Sequence, residues 1–184
     1  MKNRITILLI GVLLVSCVWL DEKLEGDNPE LIFYIVPELE VNSTGYYLLP
    51  LNSKNTNITS QAVYAYVGYK DFENFDFVDA EGAVVEWYSN LYYSSSDTVG
   101  YYRKQYGDID TYTYYSLDTT FIYSGDLTQL KSTVDFSSKS DTKGMAKTNV
   151  NVLTQMIGDT LVLSASTKDN YDNCITDSCW VSMP

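Results

Sequence analysis

Histidine is absent from this chain of 184 residues, and cysteine and basic side chains are scarce. Without histidine, neither a Ser-His-Asp nor a Cys-His nucleophilic system can be assembled. The sequence also has no Gly-x-Ser-x-Gly turn, no phosphate-binding glycine loop and no dinucleotide fingerprint. Paired carboxylates of the glycosidase kind remain open, but nothing singles out two of the 24 acidic residues. We therefore predict a protein that is not an enzyme.

Basic residues number 12 against 24 acidic ones, which gives a net charge of −12. So negative a chain repels phosphate backbones and anionic headgroups, which argues against nucleic acid as a partner. A solvated exterior surface and cation binding both agree with this balance.

The N-terminus begins with Lys2 and Arg4 and continues as an apolar run from Ile5 to Val15. At about 1.5 Å per residue a helix of this run is roughly 17 Å long, too short for a hydrocarbon core of about 30 Å. A positive start followed by a short apolar run is typical of a secretory signal.

The run ends in Leu14-Val15-Ser16-Cys17. This tetrad resembles the lipobox of bacterial lipoproteins, in which the cysteine is lipidated and the signal is cut before it. The resemblance implies a signal peptide over residues 1–16 and acyl chains such as palmitate on Cys17, which make the membrane a partner. Residue 18 is Val rather than Asp, so we expect an outer-membrane lipoprotein of the cell envelope, periplasmic or surface-exposed.

Cleavage before Cys17 leaves 168 of the 184 residues and removes the two basic residues Lys2 and Arg4, so 10 basic and 24 acidic residues remain, a net charge of −14. Residues 17–29 are polar and acidic, and we interpret them as a lipidated tether. Residues 30–184 have the length of a single domain.

Two cysteines remain once Cys17 is assigned to lipid, namely Cys174 and Cys179. Outside the cytoplasm such a pair predicts a disulfide. A zinc site is the alternative, but it needs two more Cys or His ligands that the chain does not have.

Residues from Leu31 onward are rich in Tyr, Thr, Val and Ile, the residues that suit a pleated surface. No helical period persists over three turns, so we predict an all-β fold. Alternation places Val85 and Trp87 on one face of a strand, and Leu161, Leu163 and Ala165 on one face of another. The predicted strands are Leu31–Val36, Ala62–Tyr69, Ala83–Tyr88, Leu91–Tyr93, Val99–Arg103, Thr111–Ser116, Thr119–Tyr123, Val134–Phe136, Lys147–Leu153, Thr160–Ser166 and Cys179–Met183.

Two segments resemble bacterial immunoglobulin-like modules of the polycystic-kidney-disease type. Residues 158–183 look like the last hairpin of such a module, a Gly-led strand, a polar Asp/Asn loop and a final alternating strand, whereas Val84–Ser89 looks like the strand with the buried Trp. The resemblance implies an immunoglobulin-like β-sandwich, in which Leu91 to Thr142 would add extra strands. It departs from the family at Leu161, where an aromatic residue is frequent. A lipocalin-like β-barrel is the alternative.

The densest acidic stretch is residues 71–82, where oxygen ligands recur at alternating positions. Two interpretations remain open. Asp71, Glu73, Asp76 and Asp79 could hold Ca²⁺, although their spacing is not that of an EF-hand. Otherwise the stretch is a solvated loop whose Phe72, Phe75 and Phe77 point into the core. Residues 169–173 are a second acidic loop with the same two interpretations.

Tyrosine occurs in doublets at 46–47, 92–93, 101–102 and 114–115, and each doublet puts one ring on each face of a strand. Such rings either tile a sheet or form a patch that binds a protein or a glycan. The sequence therefore predicts a binding, adhesion or accessory module. The alternative is a lipocalin-like carrier of a small hydrophobic ligand.

Overall fold

The structure is a computed structural model that describes residues 29–51, 58–70, 76–94, 100–105, 111–116, 118–124 and 130–184. In these ranges the chain forms fourteen strands and a 3₁₀ turn at Thr154–Met156. The strands are β1 (Glu30–Val36), β2 (Tyr47–Leu48), β3 (Ile58–Lys70), β4 (Phe77–Asp79), β5 (Val84–Ser89), β6 (Leu91–Ser94), β7 (Gly100–Lys104), β8 (Thr111–Ser116), β9 (Thr120–Ser124), β10 (Leu130–Ser132), β11 (Ser137–Lys139), β12 (Met145–Leu153), β13 (Thr160–Lys168) and β14 (Cys174–Ser182).

The strands belong to three sheets. Sheet A has the order β1-β3-β12, with β4 also paired to β3; sheet B is β11-β5-β13-β14-β2; sheet C is β10-β6-β7-β8-β9. The all-β prediction is confirmed, and this arrangement agrees with a β-sandwich rather than with one closed sheet. None of the described residues forms a helix with the length and apolar character needed to cross a membrane.

Sheets A and B each bury one face, as the alternation predicts. Val63, Ala65 and Val67 of β3 are buried, and so are Val85 and Trp87 of β5. On β13, Leu161, Leu163 and Ala165 are buried as predicted, and Val162 is buried on the other side. A buried Trp on β5 and the β13–β14 hairpin are both features that the immunoglobulin-like resemblance implies.

Tyrosine rings pack in pairs across two strands of sheet C. In the β7–β8 register Tyr101 lies opposite Tyr115, and Tyr102 lies opposite Tyr114. The ring centroids are 5.3 Å apart in the first pair and 4.9 Å apart in the second. These two doublets do put a ring on each face, and their rings pack on one another.

The short strands β2, β4, β10 and β11 were not predicted, several bounds are shifted by a few residues, and two predicted strands differ more strongly from the observed structure. Residues 134–136 form a turn between β10 and β11 rather than a strand. The Asp135 carboxylate accepts the backbone N–H of Asn149 at 3.0 Å. This side-chain hydrogen bond replaces the backbone-to-backbone bond that strand pairing would give at this position. The last strand begins at Cys174 rather than Cys179 because β14 pairs with β13 along its whole length.

The chain divides into two compact units. The larger comprises Leu31–Gly68 and Asp79–Pro184, and it contains the buried residues named above. The smaller comprises Met1–Glu30 and Tyr69–Val78, of which residues 29–30, 69–70 and 76–78 are described. In the smaller unit Phe77 is 64% exposed.

Candidate functional site

The outer side of sheet B is the strongest candidate for a binding surface. Because side chains alternate along a strand, the burial of Leu163 and Ala165 turns Ser164 and Ser166 outward on β13. The same alternation turns every second residue outward on β5 and β14. We call the central part of this surface the hydroxyl face; it consists of Glu86, Tyr88, Ser164, Ser166, Thr176, Ser178 and Trp180. Val84, Lys168 and Cys174 face the same side at the ends of these strands.

The register of sheet B arranges these side chains in rows across three strands. Ser164 pairs with Tyr88 on one side and with Ser178 on the other. Ser166 pairs in the same way with Glu86 and Thr176. Adjacent strands are about 4.8 Å apart, so four hydroxyl groups form a compact floor.

A cleft of about 300 Å³ opens on this floor beside β5. Its wall includes Tyr88 and Phe136, whose side chains are 38% and 79% exposed. The Phe136 carbonyl accepts the Trp87 backbone N–H at 2.9 Å, which holds Phe136 next to β5. The Tyr88 side chain hydrogen bonds with that of Tyr92. The Tyr88 side chain and the Phe136 backbone are therefore held by contacts within the fold.

Trp180 carries a second exposed ring, on β14. It is 48% exposed and stacks on Tyr46, with 5.8 Å between centroids and 14° between ring planes. Tyr46 is itself held by Asn42, whose side-chain oxygen accepts the Tyr46 backbone N–H at 2.9 Å. Trp180 lies two strands and two residues away from the Tyr88 row, a separation of about 12 Å.

The cleft holds little charge. Among the described residues that line it, Glu86 is the one ionisable side chain at neutral pH; the others are Trp87, Tyr88, Phe136, Ser164, Ala165, Ser166 and Thr176. Exposed aromatic rings contribute apolar contact, and short hydroxyl side chains both donate and accept hydrogen bonds. This combination suits the recognition of a ligand that is itself rich in hydroxyl groups.

A second polar cluster surrounds Asp159, which is buried just before β13. Its carboxylate accepts hydrogen bonds from the Tyr101 hydroxyl at 2.7 Å and the Thr160 backbone N–H at 2.6 Å, and it pairs with the Arg103 guanidinium. Burial and the bond to Asp159 raise the pKa of Tyr101. Since every named partner comes from the fold itself, we assign this cluster a structural role.

The predicted disulfide between Cys174 and Cys179 is wrong, because both cysteines are free and lie on one continuous strand. Five residue steps of a strand span about 17 Å, whereas a disulfide needs Cα atoms about 4.4–6.8 Å apart. Cys174 is exposed and Cys179 faces the core side, where burial raises its thiol pKa to about 12.

The predicted lipid attachment residue, Cys17, lies outside the described residues, as do Asp71 and Glu73 of the predicted calcium site. Of the other two, Asp76 is exposed and Asp79 accepts the Tyr66 hydroxyl at 2.9 Å. In the described ranges no three His, Cys, Asp or Glu side chains group as metal ligands. Calcium binding stays a prediction. Phe77, which the alternative placed in the core, is instead exposed.

The second acidic loop, residues 169–173, is a tight turn. One Asp169 oxygen accepts the backbone N–H groups of Tyr171 and Asn173, each at 2.8 Å. The Asn173 side-chain amide donates to the other oxygen at 2.9 Å. Both oxygens have partners within the loop, so Asp169 acts as a turn residue.

The sequence did not predict the hydroxyl face, although it contains a partial signal for it. Ser164, Ser166, Thr176, Ser178 and Trp180 recur with period two on either side of a polar turn. No protein-family model matches this chain, and the comparison with curated proteins gives no match either. The interpretation of the face therefore depends on its own geometry.

Proposed function

We propose that this chain is a lipid-anchored binding module of the bacterial cell envelope, without catalytic activity, and that it binds its partner through the hydroxyl face. The observation that carries the proposal is the set of exposed rings on that face, Tyr88, Phe136 and Trp180. Large apolar side chains exposed together on one surface are a mark of binding sites.

The anchor is supported by Leu14-Val15-Ser16-Cys17 at the end of the apolar run. Each buried CH₂ of an acyl chain contributes about 0.8 kcal/mol, so several chains would hold the protein at the membrane without a membrane-binding surface of its own. Residues 17–29 would then serve as a spacer between the lipid and the β domain.

The anchor is tested by expressing the full chain with labelled palmitate. Cys17→Ser should abolish labelling and move the protein from the membrane fraction to the soluble fraction. Cys174→Ser is the matched control, because it removes an exposed thiol that we do not assign to lipid. Membrane association that is unchanged in Cys17→Ser would disprove the anchor.

The binding face is tested by the adhesion of intact cells that carry the chain to immobilised cell-envelope material. The double variant Tyr88→Ser/Trp180→Ser should lower adhesion by at least about tenfold, the loss that 1.4 kcal/mol of binding energy produces. Tyr171→Ser is the control, because Tyr171 is 61% exposed but lies in the 169–173 turn, off the face. Wild-type adhesion by the double variant would rule out this face.

A further inference from the structure

We infer that the ligand of the hydroxyl face is a neutral oligosaccharide; the inference depends on the proposed function and names the chemical class of its partner. The floor of the face consists of four short hydroxyl side chains, Ser164, Ser166, Thr176 and Ser178. Each hydroxyl offers one donor and two acceptor positions and rotates to suit its partner. Sugar hydroxyls have the same dual character, so floor and ligand match.

Aromatic rings stand on two sides of this floor. The apolar C–H side of a pyranose ring stacks on the electron-rich face of an aromatic ring, which leaves the sugar hydroxyls free for the floor. Trp180 is held against Tyr46, and Tyr88 is hydrogen-bonded to Tyr92. Rings that are already held lose little conformational freedom on binding, which favours affinity for a ligand with few apolar groups.

The positions of the rings indicate a chain rather than a single sugar. Tyr88 on β5 and Trp180 on β14 are separated by the β13 strand and by about 12 Å. A single pyranose ring is too small to contact both. A chain of linked sugars that runs obliquely across β5, β13 and β14 contacts both rings and the Ser164 and Ser178 hydroxyls between them.

Charge favours a neutral ligand. Glu86 places a carboxylate within the cleft, and the chain without residues 1–16 has a net charge of −14, which disfavours uronate and sulfated sugars. Lys168, which β13 turns toward the same side, is paired with Asp172 at 3.4 Å. A protein partner fits less well, since the core of a protein interface is mostly apolar whereas this floor is made of hydroxyl groups.

The experiment measures binding of the full-length Cys17→Ser chain to immobilised hexamers of glucose, mannose and N-acetylglucosamine, with a galacturonic acid hexamer as the acidic counterpart. At least one neutral hexamer should bind, and it should bind at least about tenfold more tightly than the acidic one. Trp180→Ala and Tyr88→Ala should each weaken that binding by about tenfold. Tyr171→Ala should leave it unchanged.

A further variant, Ser164→Ala/Ser166→Ala, tests the floor while it keeps all the rings. This variant should also weaken the binding of the neutral hexamer by several-fold. If the aromatic rings alone bound the sugar, the affinity would not change. A dissociation constant that rises as the chain is shortened from hexamer to monomer would confirm that both rings are used.

Two failures are distinguishable. If no neutral hexamer binds but Tyr88→Ser/Trp180→Ser still abolishes adhesion, the ligand class is wrong and the binding face stands. A protease-sensitive adhesion in that case would identify a protein partner. If no hexamer binds and the double variant adheres as wild type, both the ligand class and the face are wrong.

Discussion

The Tyr101 hydroxyl donates a 2.7 Å hydrogen bond to the buried Asp159 carboxylate, and this bond joins sheet C to the start of β13. Arg103 is two residues further along β7, on the same side of the strand, and pairs with the same carboxylate. Its guanidinium carbon lies 4.9 Å from the centroid of the Tyr115 ring. One buried carboxylate thus pairs with two side chains of sheet C at the start of the strand that carries Ser164 and Ser166.

Removing that carboxylate should be costly. Asp159→Ala leaves the Tyr101 hydroxyl and the partly exposed Arg103 guanidinium without their partner, and we expect a loss of about 2–4 kcal/mol in the free energy of unfolding. Tyr101→Phe removes one hydrogen bond only and should cost about 1 kcal/mol. Urea unfolding measures both. Equal losses in the two variants would show that the carboxylate has no role beyond the Tyr101 bond.

Alkaline pH should destabilise the protein through one buried tyrosine, Tyr101, and two half-buried ones, Tyr66 and Tyr92. Burial is the main cause that raises the pKa of Tyr66 to about 12, and it also raises the pKa of Tyr92 and Tyr101. In the unfolded chain these groups titrate near pH 10, so above that pH the folded state binds more protons than the unfolded state. The stabilisation is complete below about pH 10 and is lost as the pH rises through the folded-state pKa values.

The measurement is the urea midpoint at several pH values from neutral to strongly alkaline. In Tyr101→Phe and Tyr92→Phe the decline above about pH 10 should be shallower than in the wild type. Tyr171→Phe, at an exposed position, is the control and should follow the wild-type curve. A stability that stays constant well above pH 10 would contradict the assignment.

Strand alternation predicted which faces of the sheets are buried. In a sheet with one solvated side, apolar and polar residues must alternate along each strand, and this alternation is visible in the sequence. Val85 and Trp87 on β5 are examples. Where the predictions failed, a tertiary contact decided the structure. The segment Cys174–Ser178 reads as a polar loop, yet pairing with Lys168 through Ser164 makes it the first half of β14.

The hydroxyl face could not be predicted from the sequence, because long-range strand pairing brings its residues together. Ser164 and Ser178 are fourteen positions apart in the chain and become neighbours only through the register of the β13–β14 hairpin. Tyr88 joins them through a second pairing, with β5, that no local pattern encodes. A shift of one residue in either register would move one strand's side chains to the opposite face of the sheet, so Tyr88, Ser164 and Ser178 would no longer lie in one row.

The two strand cysteines should differ sharply in reactivity. Cys174 is exposed, whereas burial raises the pKa of Cys179 to about 12, so little thiolate forms there near neutral pH. An alkylating reagent in excess should label Cys174 in the native protein and reach Cys179 only after unfolding. Mass spectrometry of proteolytic peptides checks this. A Cys174–Cys179 disulfide, or equal labelling of both thiols, would contradict the placement of residues 174–179 in one strand.

Two glycines with the same backbone conformation should differ in their tolerance of alanine. Gly45 has φ of 84° and Gly144 has φ of 70°, so alanine at either position is strained by roughly 1–2 kcal/mol. A Cβ at Gly45 meets no atom within 4 Å, but at Gly144 it overlaps the Val67 backbone carbonyl. The Gly144 carbonyl also accepts the Val67 N–H at 2.8 Å. The two backbones therefore cannot separate without breaking this hydrogen bond between β3 and the residue that precedes β12.

We therefore expect Gly45→Ala to cost about 1 kcal/mol in the free energy of unfolding, and Gly144→Ala to cost at least about 3 kcal/mol or to prevent folding. Urea unfolding of both variants, with the yield of soluble protein as a second measurement, tests this; equal costs would mean that β3 and residue 144 do not approach each other as closely as the structure has them.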